Sequence, residues 1–265
     1  MKTRAITGFF FVVALVCATI FNPYVFAVFF SIVGVLACRE FFNICKTEET
    51  HPLVGLGILT SVVLASLASA YFLGILPLVY LILIIPFISL LFIASLYLKR
   101  EKPFNDIAYT LLGIWYGTGP FLFFIGLGFL EGTFNPNIPM GFLILLWAND
   151  TGAYLTGRAF GRTKLFERIS PNKTWEGFIG GVILAMGIAY GLSYWFGSLS
   201  KVEWVLMASI IGIFGTLGDL VESMLKRSLG IKDSGNILPG HGGFLDRFDG
   251  LLIAAPLVYI LLTLF

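Results

Sequence analysis

Four polar residues late in this 265-residue chain fall on one helical face: Asp219, Glu222, Ser223 and Lys226, at i, i+3, i+4 and i+7. Asp246 and Asp249 repeat the i, i+3 spacing. Carboxylates stacked one turn apart, facing a second such pair, suit oxygen ligation of a hard cation such as Mg²⁺. A soft metal or haem site lacks the residues for it. His51 and His241 are the only histidines, and Cys17, Cys38 and Cys45 have no ligand spacing and read as buried free thiols. The competing reading is plain ion pairing, Glu222 with Lys226 and Asp246 with Arg247. For Glu222 the two readings stand level. Asp219, Asp246 and Asp249 together outnumber their local partners, which favours function.

Two polar segments surround these acids. Residues 231–246 are Gly-rich and include Lys232, His241, Gly242 and Gly243. Such a loop lets backbone N–H groups approach a phosphate, and a following helix N-terminus adds a favourable dipole. It is no Walker A loop, since the G-x₄-G-K-[ST] order is absent. The second segment, 170–177, reads Ser-Pro-Asn-Lys-Thr-Trp-Glu-Gly; Ser170-Pro171 predicts a helix start with Ser170 as cap. Asn172 and Lys173 follow directly. Beside these four acids, Asp150 and a basic cluster, the better reading is a polyphosphate site with a metal.

The elements holding these residues are apolar. The chain is 58% hydrophobic and 12% charged, with mean hydropathy +0.93, whereas soluble domains carry about a quarter charged residues. Stretches 5–38, 52–98, 107–130, 132–149, 177–200, 204–218 and 250–265 hold no Lys, Arg, Asp or Glu. A water-soluble enzyme is excluded; this is an all-α, polytopic transmembrane helical bundle. About nine spans are predicted, near 6–21, 24–38, 53–73, 75–98, 107–130, 140–157, 178–197, 204–224 and 250–265. Asn22-Pro23 predicts a tight turn, and Gly74 and Pro77 a break in the longest uncharged run. With the N-terminus inside and the C-terminus outside, every Lys and Arg except Lys201 falls on the inner side. On that topology Asp150 in the sixth span, Asp219 and Glu222 in the eighth, and Asp246 and Asp249 before the ninth all converge near the inner face. Gly113/Gly117, Gly177/Gly181 and Gly187/Gly191 are candidate sites of close helix approach. Three regions follow: 1–100, membrane helices that anchor or dimerise; 101–139, a middle helical region; and 140–265, the catalytic region.

The run from Ser223 through Lys226-Arg227 and Lys232-Asp233 to His241-Gly-Gly and Asp246-Arg-Phe-Asp249 resembles, without a gap, the signature of the phosphatidate cytidylyltransferase (CDP-diacylglycerol synthase) family. Trp147-Ala-Asn-Asp-Thr-Gly-Ala-Tyr154 and Ile169-Ser-Pro-Asn-Lys-Thr-Trp-Glu-Gly177 resemble the same family. The first 140 residues match it only in hydropathy. The resemblance implies an integral enzyme that condenses CTP with phosphatidic acid to CDP-diacylglycerol and pyrophosphate, requiring Mg²⁺. It implies a bacterial plasma membrane, a site on the cytoplasmic side and no nucleic-acid partner; a homodimer is one possible assembly. On that basis Asp219, Asp246 and Asp249, with Glu222, are expected to hold one or two cations. Lys226, Arg227, Lys173 and Arg247 would neutralise the triphosphate or lipid phosphate. Asn149, Asp150, Ser170, Asn172, Ser223, Lys232, His241, Gly242 and Gly243 would complete the substrate contacts. Two other readings stay open: a related enzyme acting on an ether or prenyl phosphate, and an ion-coupled transporter. Against the transporter, the acids gather at one interface and no inverted repeat is visible. A CDP-alcohol phosphotransferase is disfavoured because its D-G-x₂-A-R-type motif is absent.

Overall fold

The computed structural model describes residues 2–235 and 242–264, with side chains from Thr7 onward. Each predicted span is helical. The helices are α1 (Lys2–Ile20), α2 (Pro23–Cys45), α3 (Val54–Phe72), α4 (Ile84–Tyr97, led in by a 3₁₀ segment Leu78–Leu83), α5 (Pro103–Leu127), α6 (Asn137–Phe160), α7 (Trp175–Trp195), α8 (Lys201–Ser228) and α9 (Phe244–Leu264). Seven stretches among the described residues are long and apolar enough to cross a membrane: α2, α3, Leu78–Tyr97, α5, α7, α8 and α9. That is the make-up of an integral membrane protein. The chain divides into two compact units, residues 1–125 with 233–247, and residues 126–232 with 248–265.

The first unit is built on an aromatic core. Phe26, Phe30, Phe41, Phe42, Phe121 and Phe124 are fully buried, and the Phe30 and Phe124 rings lie 4.7 Å apart. The turn at Asn22-Pro23 forms as expected: the Asn22 carboxamide oxygen accepts from Val25 N at 2.8 Å, and Pro23 opens α2. Helix α5 is interrupted by a π turn over Ile114–Thr118. There Thr118 donates to Ser61 Oγ at 3.1 Å, and Gly117 lies against the backbone of Cys38. Cys38 and Cys45 are buried as expected, but Cys17 is exposed, because it falls on the outward face of α1. The loop before α3 is tied down by α5: Asp106 accepts from His51 N at 2.6 Å, and Thr110 from Leu53 N at 2.8 Å.

The second unit contains the departure from an all-α fold. Strands β1 (Lys164–Phe166) and β2 (Ser170–Thr174) form a small antiparallel hairpin between α6 and α7. Ser170 is therefore not a helix cap. It pairs with Phe166, and α7 begins five residues later with Thr174 as cap, its hydroxyl accepting from Gly177 N at 3.2 Å. Pro171 is tolerated because each strand of a two-stranded ladder is an edge. Glu176 fixes the hairpin base, accepting from the backbone N–H groups of Arg162 and Thr163, each at 3.1 Å. Helix α8 starts at a capping box, Ser200 with Glu203.

Candidate active site

In the second unit, small residues let four helices approach closely enough to bring their polar groups together. Gly177 and Gly181 of α7 lie against the backbone of α6 at Ala153 and Asn149, so this predicted pair is a real contact. Gly187 and Gly191 have nothing within 4 Å where a Cβ would be. On α8, a Cβ at Gly218 would stand 2.6 Å from the Asp249 carbonyl oxygen. That bare face lets α9 lie directly on α8, and the residues flanking the contact, Asp219 and Asp249, are carboxylates.

The result is a cluster of three acids. One carboxylate oxygen each from Asp219, Glu222 and Asp249 lies within 4.8 Å of the others. Glu222 is 1% exposed, and the two aspartates are half-buried. Lysines hold the set from two sides: Lys173 Nζ is 2.5 Å from Asp219 Oδ2, and Lys226 Nζ is 2.5 Å from Glu222 Oε2. Ser223 Oγ donates to Asp219 Oδ1 at 3.3 Å, and Gly250 N donates to Asp249 Oδ1 at 2.6 Å. Lys173 is delivered by β2, so the hairpin is what brings its ammonium to α8.

Asp219 and Lys173 also line a cavity of about 600 Å³. Asp150, Tyr154 and Arg158 from α6, Ser170 and Asn172 from the hairpin, Phe178 from α7 and Thr216 from α8 share its wall. Asn149, 1% exposed, donates to Thr216 Oγ1 at 3.3 Å and so ties α6 to α8 one turn before Asp219. The arrangement offers anionic oxygens and two cations beside a hollow with polar and aromatic walls, which suits a phosphorylated substrate with a metal.

A family model described as the cytidylyltransferase family matches residues 2–265. The chain belongs to the cytidylyltransferase family. A phosphatidate cytidylyltransferase of Staphylococcus aureus (strain COL) is 35% identical over 272 residues, covering 99% of each chain. One from Bacillus subtilis (strain 168) is 33% identical over 269 residues, covering 100% of this chain and 98% of its own. A third, from Staphylococcus saprophyticus, is 43% identical over 173 residues, 62% of each chain.

Of the other described site candidates in this cytidylyltransferase-family chain, two are exposed in the second unit and the rest belong to the first. Arg227 is exposed and donates to Ile231 O at 3.3 Å; Lys232 is exposed. Asp246, Gly242, Gly243 and Arg247 belong to the first unit, and His241 lies outside the described residues. The Asp246 carboxylate accepts from Ser234 N at 3.0 Å and Gly243 N at 2.9 Å, and its Oδ2 lies 2.8 Å from Ser234 Oγ. Arg247 is exposed.

Glu40, absent from the motifs, is a further buried acid. It is 3% exposed on α2, and its carboxylate accepts from Phe244 N at 2.8 Å, Leu245 N at 3.1 Å and the Ser234 hydroxyl. The phenylalanines directly after it are a hint of burial, but Arg39 beside it makes it read as a solvated charge.

Proposed function

We propose that this chain transfers the cytidylyl group of CTP to phosphatidic acid, forming CDP-diacylglycerol and pyrophosphate, at the cytoplasmic face of a bacterial plasma membrane. The observation that carries the reading is the acidic trio whose Asp219 faces a cavity walled by Lys173 and Arg158. The curated relatives, similar over nearly the whole chain and named phosphatidate cytidylyltransferase, supply the substrate pair. The topology proposed is nine spans with the N-terminus inside, α1 and α6 joining the seven longer apolar stretches.

The nucleophile needs no base, since a phosphate monoester is already anionic at neutral pH. A phosphate oxygen of phosphatidic acid bonds to the α-phosphorus of CTP. The bond from that phosphorus to the oxygen bridging the β-phosphate breaks, and pyrophosphate leaves with the electron pair. The difficulty is bringing two polyanions together, so positioning and charge neutralisation carry the catalysis. Lys173 and Arg158 draw phosphate groups to the cavity, and Asn172 and Ser170 offer polar contacts on the same wall. Lys226, Arg227 and Arg247 complete the basic set proposed for the two substrates.

The trio fits a hard divalent cation. Its donors are all carboxylate oxygens, one is wholly buried, and three negative groups face two ammonium groups. Asp219, Glu222 and Asp249 would hold Mg²⁺, and Asp246 is proposed with them on the strength of the motif. When bound, the ion would neutralise phosphate charge and stabilise the departing pyrophosphate.

A competition assay tests the substrate assignment. Purified protein is given CTP with phosphatidic acid, an ether-lipid phosphate or a prenyl phosphate in mixed micelles. Preferential conversion of phosphatidic acid is expected. Preference for either other lipid would overturn the assignment while leaving the chemistry.

A further inference from the structure

Glu40 occupies the place an anion would take at the start of α9. The first N–H groups of a helix have no partner within it and carry the positive end of its dipole. In this chain two of them, Phe244 N and Leu245 N, point at the Glu40 carboxylate. The same carboxylate accepts from the Ser234 hydroxyl, and that oxygen also lies 2.8 Å from Asp246 Oδ2. A residue far earlier in sequence thus joins Ser234 to the first turn of α9. Gly243 is glycine for the same reason, because a Cβ there would overlap the Glu40 carboxylate.

We propose that Glu40 is a positioning residue for the transfer reaction: an internal anion that ties Ser234 to the first turn of α9 and fixes the start of the helix carrying Asp246 and Asp249. This rests on the cytidylyl-transfer reading above. Glu40 touches no substrate and acts through Ser234 and the backbone of Phe244 and Leu245. A carboxylate suits this task and an amide does not. Both oxygens accept hydrogen bonds, so glutamine of the same shape must turn an N–H₂ toward an N–H or O–H donor.

The test compares wild type, Glu40→Gln and Ser234→Ala in detergent, by turnover and by amide hydrogen exchange of the peptide spanning 243–248. Glu40→Gln is expected to speed exchange there about tenfold or more, through loss of buried charge-assisted bonds. Exchange in α8 around Asp219 stays as in wild type, and turnover falls about tenfold or more with little change in KM for CTP. Ser234→Ala, which keeps both Glu40 backbone contacts, gives a smaller effect on each measure. Unchanged exchange at 243–248, or wild-type turnover in Glu40→Gln, would overturn the proposal. So would exchange raised uniformly through the chain, which marks a general fold contact. If Glu40→Gln fails to fold, Ser234→Ala decides by the same two readouts: faster local exchange with lowered turnover supports the proposal, and wild-type behaviour overturns it. Wild-type protein that makes no CDP-diacylglycerol would instead refute the underlying function, leaving the exchange result to judge Glu40.

Discussion

At the scale of single residues, the difficulty lies in separating acids that hold the bundle from acids that do chemistry. Glu222 illustrates it. Its pairing with Lys226 one turn away is visible in the spacing alone, and the structure shows that pair. It also shows Asp249 of α9 beside Asp219 and Glu222, which spacing on one helix could not reveal. Breaking a buried ion pair from one side leaves an uncompensated charge and costs about 3–5 kcal/mol. Lys226→Met is therefore expected to lower the thermal midpoint in detergent more than Lys226→Met/Glu222→Gln does. Equal destabilisation would show that the pair carries no stability. Lys173 differs, since its ammonium faces the cavity as well as Asp219. Lys173→Met is expected to cut kcat/KM about a hundredfold with a smaller loss of stability, checked by steady-state kinetics against the melting curve. The i, i+3 rule grouped Asp246 with Asp249, yet their described partners differ: Asp246 takes hydrogen bonds from Ser234 and Gly243, and Asp249 from Gly250. Glu40 was illegible for a related reason. A carboxylate next to Arg39 reads as a solvated charge until its far-off backbone partners are known.

At the scale of elements, helices were legible and their contacts only partly so. Uncharged length marks the apolar helices, each predicted stretch contributing one or more of them. Charge does not mark where helices end: α2 continues past Arg39 and Glu40 to Cys45, since Glu40 is buried against backbone donors. The hairpin had no visible pattern. Ser170-Pro-Asn-Lys-Thr lacks strand alternation, and the structure is set instead by Glu176 holding Arg162 and Thr163. Small-residue spacing identified Gly177/Gly181 correctly but could not separate it from Gly187/Gly191, which meets nothing. That difference supplies a matched experiment. Gly218→Ala places a methyl group 2.6 Å from Asp249 O and must shift α9 on α8. It is expected to lose at least about tenfold in turnover, because small displacements of positioned groups are costly. Gly187→Ala, in open space, should stay within about twofold of wild type. Equal effects of the two would show that the α8–α9 contact does not set the site.

At the scale of the whole molecule, the distribution of charge is the strongest statement in the sequence. On the proposed nine-span topology Lys201 stands apart from the other 16 basic residues, and its ammonium lies over the Tyr194 ring at 4.4 Å. The proposed topology predicts that, in a cysteine-free background, Gly197→Cys reacts with a membrane-impermeant maleimide in intact cells. Lys99→Cys should react only after permeabilisation. The reverse pattern would invert the topology and remove the site from the CTP side.

The central claim is that Asp219 anchors a cation-dependent cytidylyl transfer. The direct measurement is incorporation of radiolabelled CTP into lipid by purified protein with phosphatidic acid, as Mg²⁺ is raised from zero, for wild type and Asp219→Asn. Product is expected from wild type only with Mg²⁺, with a loss of at least about a hundredfold in Asp219→Asn at saturating Mg²⁺ and the fold retained. Near wild-type turnover by Asp219→Asn, or full activity without a divalent cation, would contradict it.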